Sequence, residues 1–74
     1  MTDVPLLRVT DVIHKLRKAG FVFDRQAKGS HEIWIHPQKH YRTVIPNHPG
    51  DIPKPTLRKI IKQAGLTIDE FIAL

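Results

Sequence analysis

Glycine and proline cut this chain into runs too short for anything but a small layered fold. Gly20, Gly29, Pro37, Pro46 and Gly65 fall where the apolar periodicity changes. Glycine tolerates left-handed backbone and proline cannot donate to a helix or sheet ladder, so both punctuate structure. The pattern inside each run then decides what it becomes. Seventy-four residues with no cysteine exclude disulfide staples and thiolate metal sites. The core of so short a chain contributes only about 3–5 kcal/mol, so every apolar run has to be used.

The first run is helical. Val9, Val12, Ile13 and Leu16 recur on one face at helical spacing. Thr10 is the expected N-cap, with Asp11 in the first turn, where the helix dipole favours negative charge. Gly20 stops the helix as a C′ glycine does. His14, Lys15, Arg17 and Lys18 fall largely off the apolar stripe and make a basic face of the kind usually left to solvent. Ahead of the helix, Met1 to Arg8 contains Pro5 and reads as an extended lead-in.

Three β-rich runs follow. Phe21–Gln26 is the first strand and Ala27–Gly29 a hairpin-length connection. Ser30–His36 alternates as a second strand, closed by Pro37. Tyr41–Ile45 is the third, stopped by Pro46. Short connections predict an antiparallel meander with one face on the helices and the other open. Period two puts His31, Ile33 and Ile35 on one side and Ser30, Glu32, Trp34 and His36 on the other. If the isoleucines are core, His31 points toward the helix layer at its open end. If Trp34 is core, His31 lies on the open face.

Residues 47–55 form a proline-rich loop with Ile52 as its anchor. A second helix starts near Pro55 or Thr56, since proline suits the first helical turn. Leu57, Ile60, Ile61 and Ala64 are its apolar stripe and Gly65 its stop. Thr67 and Glu70 have the spacing of a capping box for a short third helix, with Leu66 and Phe71 at the hydrophobic-staple positions. Ile68, Ile72 and Leu74 complete the core. The expected architecture is one α+β domain over residues 1–74: helix, three-stranded antiparallel sheet, helix, short C-terminal helix. That plan resembles the double-stranded-RNA-binding domain, which reads RNA through shape, 2′-hydroxyls and phosphates.

Charge points the same way. Twelve Lys and Arg against seven Asp and Glu leave a formal +5, a balance suited to a phosphate-rich partner or an acidic protein. No run approaches the ~18 apolar residues of a membrane span, and the N-terminus shows no signal-peptide pattern. A cytoplasmic location is the expectation. Lys54, Arg58 and Lys59 gather at the start of the second helix, where backbone N–H groups and the dipole already favour phosphate. A solvated basic first turn is about as common an outcome.

His31 is the candidate for chemistry. An unperturbed imidazole titrates near 6.5 and serves as a base at neutral pH. RNA carries its own nucleophile, the 2′-hydroxyl. Cleavage then needs a base, groups around the phosphoryl oxygens, and in-line geometry. His31 supplies the first; Lys28 and the N–H groups of Gly29 and Ser30 are candidates for the second. The competing reading is a strand that happens to carry a histidine.

Three segments together resemble a known family. Leu16-Arg17-Lys18-Ala19-Gly20-Phe21, Lys28-Gly29-Ser30-His31 and Thr56–Leu66, in this order and spacing, are similar to the HicA-type toxins of toxin–antitoxin modules. The resemblance runs from about Val9 to Phe71. It implies a small RNA-binding fold that cleaves messenger RNA without a metal or other cofactor, restrained in a hetero-oligomer by a HicB-type antitoxin. It also implies that His31 takes the catalytic position. Two positions depart from the pattern: Pro55 stands where many relatives have glycine, and Glu32 where a second histidine is common.

Other constellations weigh less. His31, His36, His40 and His48 suggest a metal site, but alternation separates His31 from His36 and no carboxylate cluster accompanies them. Adjacent Ser30 and His31 point apart on a strand, which argues strongly against a nucleophile pair. Trp34 and Tyr41 are candidates for stacking on unpaired bases, although packing is the commoner role for Trp34. The alternative function is a binding-only module, either an RNA binder or a nuclease-dead antitoxin partner.

Overall fold

A computed structural model describes residues 3–74; Met1 and Thr2 of the expected lead-in lie outside them. The order is α1 (Val9–Lys18), β1 (Val22–Gln26), β2 (His31–His36), β3 (Tyr41–Pro46), α2 (Lys54–Gln63) and α3 (Ile68–Ile72). The strands form one antiparallel sheet in the order β1-β2-β3, so the α+β meander expected from the periodicity is the observed fold.

Several boundaries move, each for a local reason. α1 is capped at Arg8 and not at Thr10. The Asp11 carboxylate accepts the Arg8 N–H at 3.1 Å, which places Asp11 at the third helical position and Thr10 inside the first turn. β1 starts at Val22 because Phe21 turns into the core and its N–H bonds back to the Leu16 carbonyl at 2.9 Å. β2 begins at His31, since Ser30 remains in the turn. Pro46 belongs to β3 and pairs with His31; it stops the ladder only after closing it. α2 starts earlier, at Lys54, with Pro55 tolerated in its first turn.

The core is built from the expected stripes. Val9, Val12 and Leu16 of α1 and Leu57, Ile60, Ile61 and Ala64 around α2 are buried with Phe21, Trp34, Ile45 and Phe71. Ile52 anchors its loop: it is buried and its N–H bonds to the Leu7 carbonyl at 2.8 Å. Thr67 and Glu70 exchange the two capping-box bonds that start α3. Those bonds also hold the Glu70 carboxyl below its usual range. Ile68 and Leu74 pack against the core, but Ile72 is 39% exposed and does not close it; on a five-residue helix it faces outward.

The basic face of α1 is only partly solvated. Lys15 Nζ donates to the Ile72 and Leu74 carbonyls, each at 3.1 Å, and lies over the Phe71 ring. Arg17 lies over Trp34, 5.2 Å from the ring centroid. Both cations therefore hold structure together.

The two sheet edges are treated differently. On β3, Gln63 of α2 reaches the strand: its Oε1 accepts the Thr43 hydroxyl at 3.1 Å and the Val44 N–H at 3.3 Å. β1 instead has a register irregularity between Phe23 and Arg25.

Both main helices end in the same motif. Gly20 and Gly65 adopt positive φ (+98° and +74°). The next residues, Phe21 and Leu66, bond back to Leu16 and Ile61, as in a Schellman cap. Each glycine also admits a ring from the sheet. A Cβ on Gly20 would sit 2.7 Å from His36 Nε2, and one on Gly65 would fall into the Tyr41 ring. His36 and Tyr41 are cross-strand partners, so one rung of the sheet rests on both helix ends. Gly29 also has positive φ (+67°), but a Cβ there meets open space. Gly29→Ala should therefore cost about 1 kcal/mol from backbone strain alone. Gly65→Ala should cost about 1–3 kcal/mol more, because the ring has to move. Denaturant unfolding of both variants checks this; equal losses would remove the packing role assigned to Gly65.

Candidate active site at the mouth of β2

Packing decides which way His31 points. Trp34 is the core residue, 2% exposed, and its neighbours in register, Phe23 and Thr43, share its face. Thr43 Oγ1 lies 3.3 Å from the Ile60 carbonyl of α2, so this is the helix-covered face. Alternation then puts His31, Ile33 and Ile35 on the other side. Ile33 is buried but stands outside the main core cluster. His31 is exposed at the start of β2, on the open face.

The turn before it is held tightly. Ala27 N–H bonds to the His31 carbonyl at 2.7 Å, and His31 N–H reaches the Lys28 carbonyl at 3.4 Å. Gln26 Nε2 donates to the Gly29 carbonyl at 2.9 Å. The N–H groups of Gly29 and Ser30 are not engaged by any hydrogen bond within the described residues. Lys28 is exposed beside them. The turn therefore offers two free donors and a cation one to three residues before the imidazole.

His31 forms one wall of a cleft of about 320 Å³, together with Val44 and Pro46. The opposite wall is α2, which contributes Thr56, Lys59 and Gln63 at helical spacing. Lys59 thus shares the cleft with His31. Lys54 and Arg58 do not line it; both pair with Asp3, at 3.4 and 2.5 Å. The sequence marks Thr56 and Gln63 only as parts of the second helix, not as site residues. Their spacing beside the apolar stripe of α2 was the available signal, and nothing in the residues alone showed that this stripe borders the β3 edge.

Glu32, the departure next to the key histidine, sits on the face away from it. One carboxylate oxygen accepts the Trp34 indole N–H at 3.1 Å and the other accepts the Asn47 side-chain amide. Asn47 N–H in turn bonds to the Ser30 carbonyl at 2.9 Å. Glu32 thus ties the β3–α2 loop to the head of β2 and does not face the cleft. The histidines do not converge: His36 is buried on the helix side, its Nδ1 accepting the Lys39 N–H at 3.1 Å. Among the described residues no three His, Asp or Glu side chains cluster as metal ligands would. No helix among them is long and apolar enough to cross a membrane.

A sequence profile described as the HicA toxin of bacterial toxin–antitoxin systems matches residues 9–66. The chain belongs to the HicA toxin family. The match begins at the first residue of α1, ends just beyond α2, and contains the His31 turn and the Lys59 wall. No curated protein matches the chain. Membership makes this HicA chain the toxin of a two-component module, with an antitoxin as its partner. The short helix α3 lies outside the matched span and is attached to it through Lys15 and Phe71.

Asp3 supplies a pH-dependent contact. The hydrogen bond from Arg58, followed by that from the Val4 N–H, lowers its carboxyl to about 2. The carboxylate in an unfolded chain titrates near 3.9. A pKa depressed on folding adds stability that is complete above the unfolded value and lost as pH falls toward the folded one. Asp3→Asn should therefore lower the thermal midpoint by a constant amount above about pH 5. The difference should vanish as pH approaches 2. A pH-independent difference in thermal scans would exclude this contact.

Proposed function

We propose that this HicA toxin is a metal-independent endoribonuclease acting on messenger RNA, with His31 as the general base. The observation that supports it is an exposed imidazole sharing a cleft with Lys59, directly after a turn with free N–H donors. His31 takes the proton of the ribose 2′-hydroxyl. The 2′-oxygen attacks the adjacent phosphorus as the bond to the 5′-oxygen breaks. The leaving 5′-oxygen takes a proton from water, and the hydroxide so formed takes the proton held on His31, which restores the base. The products are a 2′,3′-cyclic phosphate and a free 5′-hydroxyl. Because the nucleophile belongs to the substrate, the protein has only to remove a proton and stabilise charge.

Lys28, the Gly29 and Ser30 N–H groups, and Lys59 hold the phosphoryl oxygens in this reading. Charge-assisted hydrogen bonds of this kind are the stronger ones, and they act where charge develops. Lys54 and Arg58 extend the positive field along α2, each already tied to Asp3. The antitoxin is of the HicB type and forms a hetero-oligomer that masks the basic surface.

His31→Ala should lower RNA cleavage by about 10²–10⁴-fold, with an unchanged circular dichroism spectrum and retained antitoxin binding. Wild-type cleavage should survive chelator and leave 2′,3′-cyclic phosphate ends. A 5′-phosphate product would contradict the mechanism. Wild-type protein that binds RNA without cutting it would make this a binding-only module.

A further inference from the structure

A second cleft, of about 330 Å³, lies at the far end of the sheet, around the β2–β3 turn. Ile35 and Pro37 contribute apolar surface, His36, His40 and Tyr41 three flat rings, and Arg42 a guanidinium. We propose that this cleft is a second RNA subsite, holding one nucleotide of the single strand whose scissile phosphate lies at His31. The proposal rests on the RNA-cleaving reading of the His31 site and adds where the rest of the strand binds.

Four observations carry it. The first is alignment. Arg42 is the register partner of Ile35, which shares the open face with His31. Ile35 lies four positions beyond His31 in β2, about 13 Å along the strand. A stacked nucleic-acid strand advances about 3.4 Å per nucleotide, so at most about four nucleotides connect the two clefts. The second is charge. Among the described residues Arg42 forms no ion pair, and no carboxylate lines the cleft. A phosphate beside it would meet a cation not already spent.

The third is rigidity. Tyr41 is 42% exposed, yet its ring is set against the backbone of Gly65. As the register partner of His36, this ring lies on the helix-covered side and closes the end of the cleft, which leaves the exposed His40 imidazole to meet a base by stacking that tolerates any sequence. The fourth is backbone strain. His40 is the one described non-glycine residue with positive φ, +61°, and its N–H bonds to the His36 carbonyl at 2.8 Å. Glycine would adopt this conformation without penalty. A histidine kept there places an imidazole on the cleft wall.

The test separates this subsite from the catalytic reading by measuring binding on His31→Ala protein, with fluorescence-labelled single-stranded RNA. The probes are a dinucleotide and an oligomer of about eight residues, which spans both clefts. Arg42→Ala should weaken the oligomer about tenfold, leave the dinucleotide unchanged, and lower the slope of log K against log salt by about 0.7. His40→Gly should also weaken the oligomer while raising the thermal midpoint or leaving it unchanged, because it relieves left-handed backbone. Loss of affinity there cannot come from misfolding. Unchanged oligomer affinity in both variants overturns the proposal. So does unchanged RNA affinity with loss of antitoxin binding, which would make this a protein-docking surface. If wild-type protein cuts no RNA but the oligomer still depends on Arg42, the subsite stands and the catalytic reading falls.

Discussion

The burial of Trp34 against the helices sets the geometry of everything else. A strand has only two sides, so committing Trp34 inward commits His31 outward. A one-residue slip would reverse both at once. Two contacts guard that register: the Thr43 hydroxyl on α2 and Arg17 over the indole face. At the opposite end, His36 and Tyr41 rest on Gly20 and Gly65. The direction of His31 is therefore set by packing on the other side of the sheet, while α2 walls its cleft along the β3 edge.

The formal charge of the chain does not show which cations a ligand can reach. Lys15 is spent on terminal carbonyls, Arg17 on an indole, Arg25 on Asp24 at 2.7 Å, and Lys54 and Arg58 on Asp3. Lys28, Arg42 and Lys59 form no ion pair among the described residues. Lys59 borders the His31 cleft from α2, and Arg42 borders the cleft at the β2–β3 turn. The distribution matters more than the total, because surface charges already paired contribute little to a new partner.

Much of this was legible in the sequence. The stripes of α1 and α2, their glycine stops, the meander and the α3 capping box all follow from periodicity and punctuation, which are local properties. What stayed hidden depended on contacts between distant segments. Thr10 is a better intrinsic cap than Arg8, but the chain before α1 pairs Arg8 with Asp51 and so fixes where the helix begins. The face of His31 was undecided because Ile33 and Trp34 are both apolar enough to be core, and both are in fact buried. Lys59 was grouped with Lys54 and Arg58 by adjacency. Only the path of the lead-in across α2 separates the cleft lysine from the pair held by Asp3. Glu32 looked like a neighbour of the chemistry in sequence, yet alternation and Asn47 make it a tie for the loop.

Gln63 has a consequence beyond the cleft it lines. A three-stranded sheet ordinarily presents two rows of unsatisfied backbone groups, each a template onto which another chain can add. Here a side-chain amide takes the Val44 N–H from one row, and the register irregularity between Phe23 and Arg25 interrupts the other strand. Copies of this small basic chain are thus denied the flat seams through which bare sheets polymerise, and the open face stays accessible without the edges becoming adhesive.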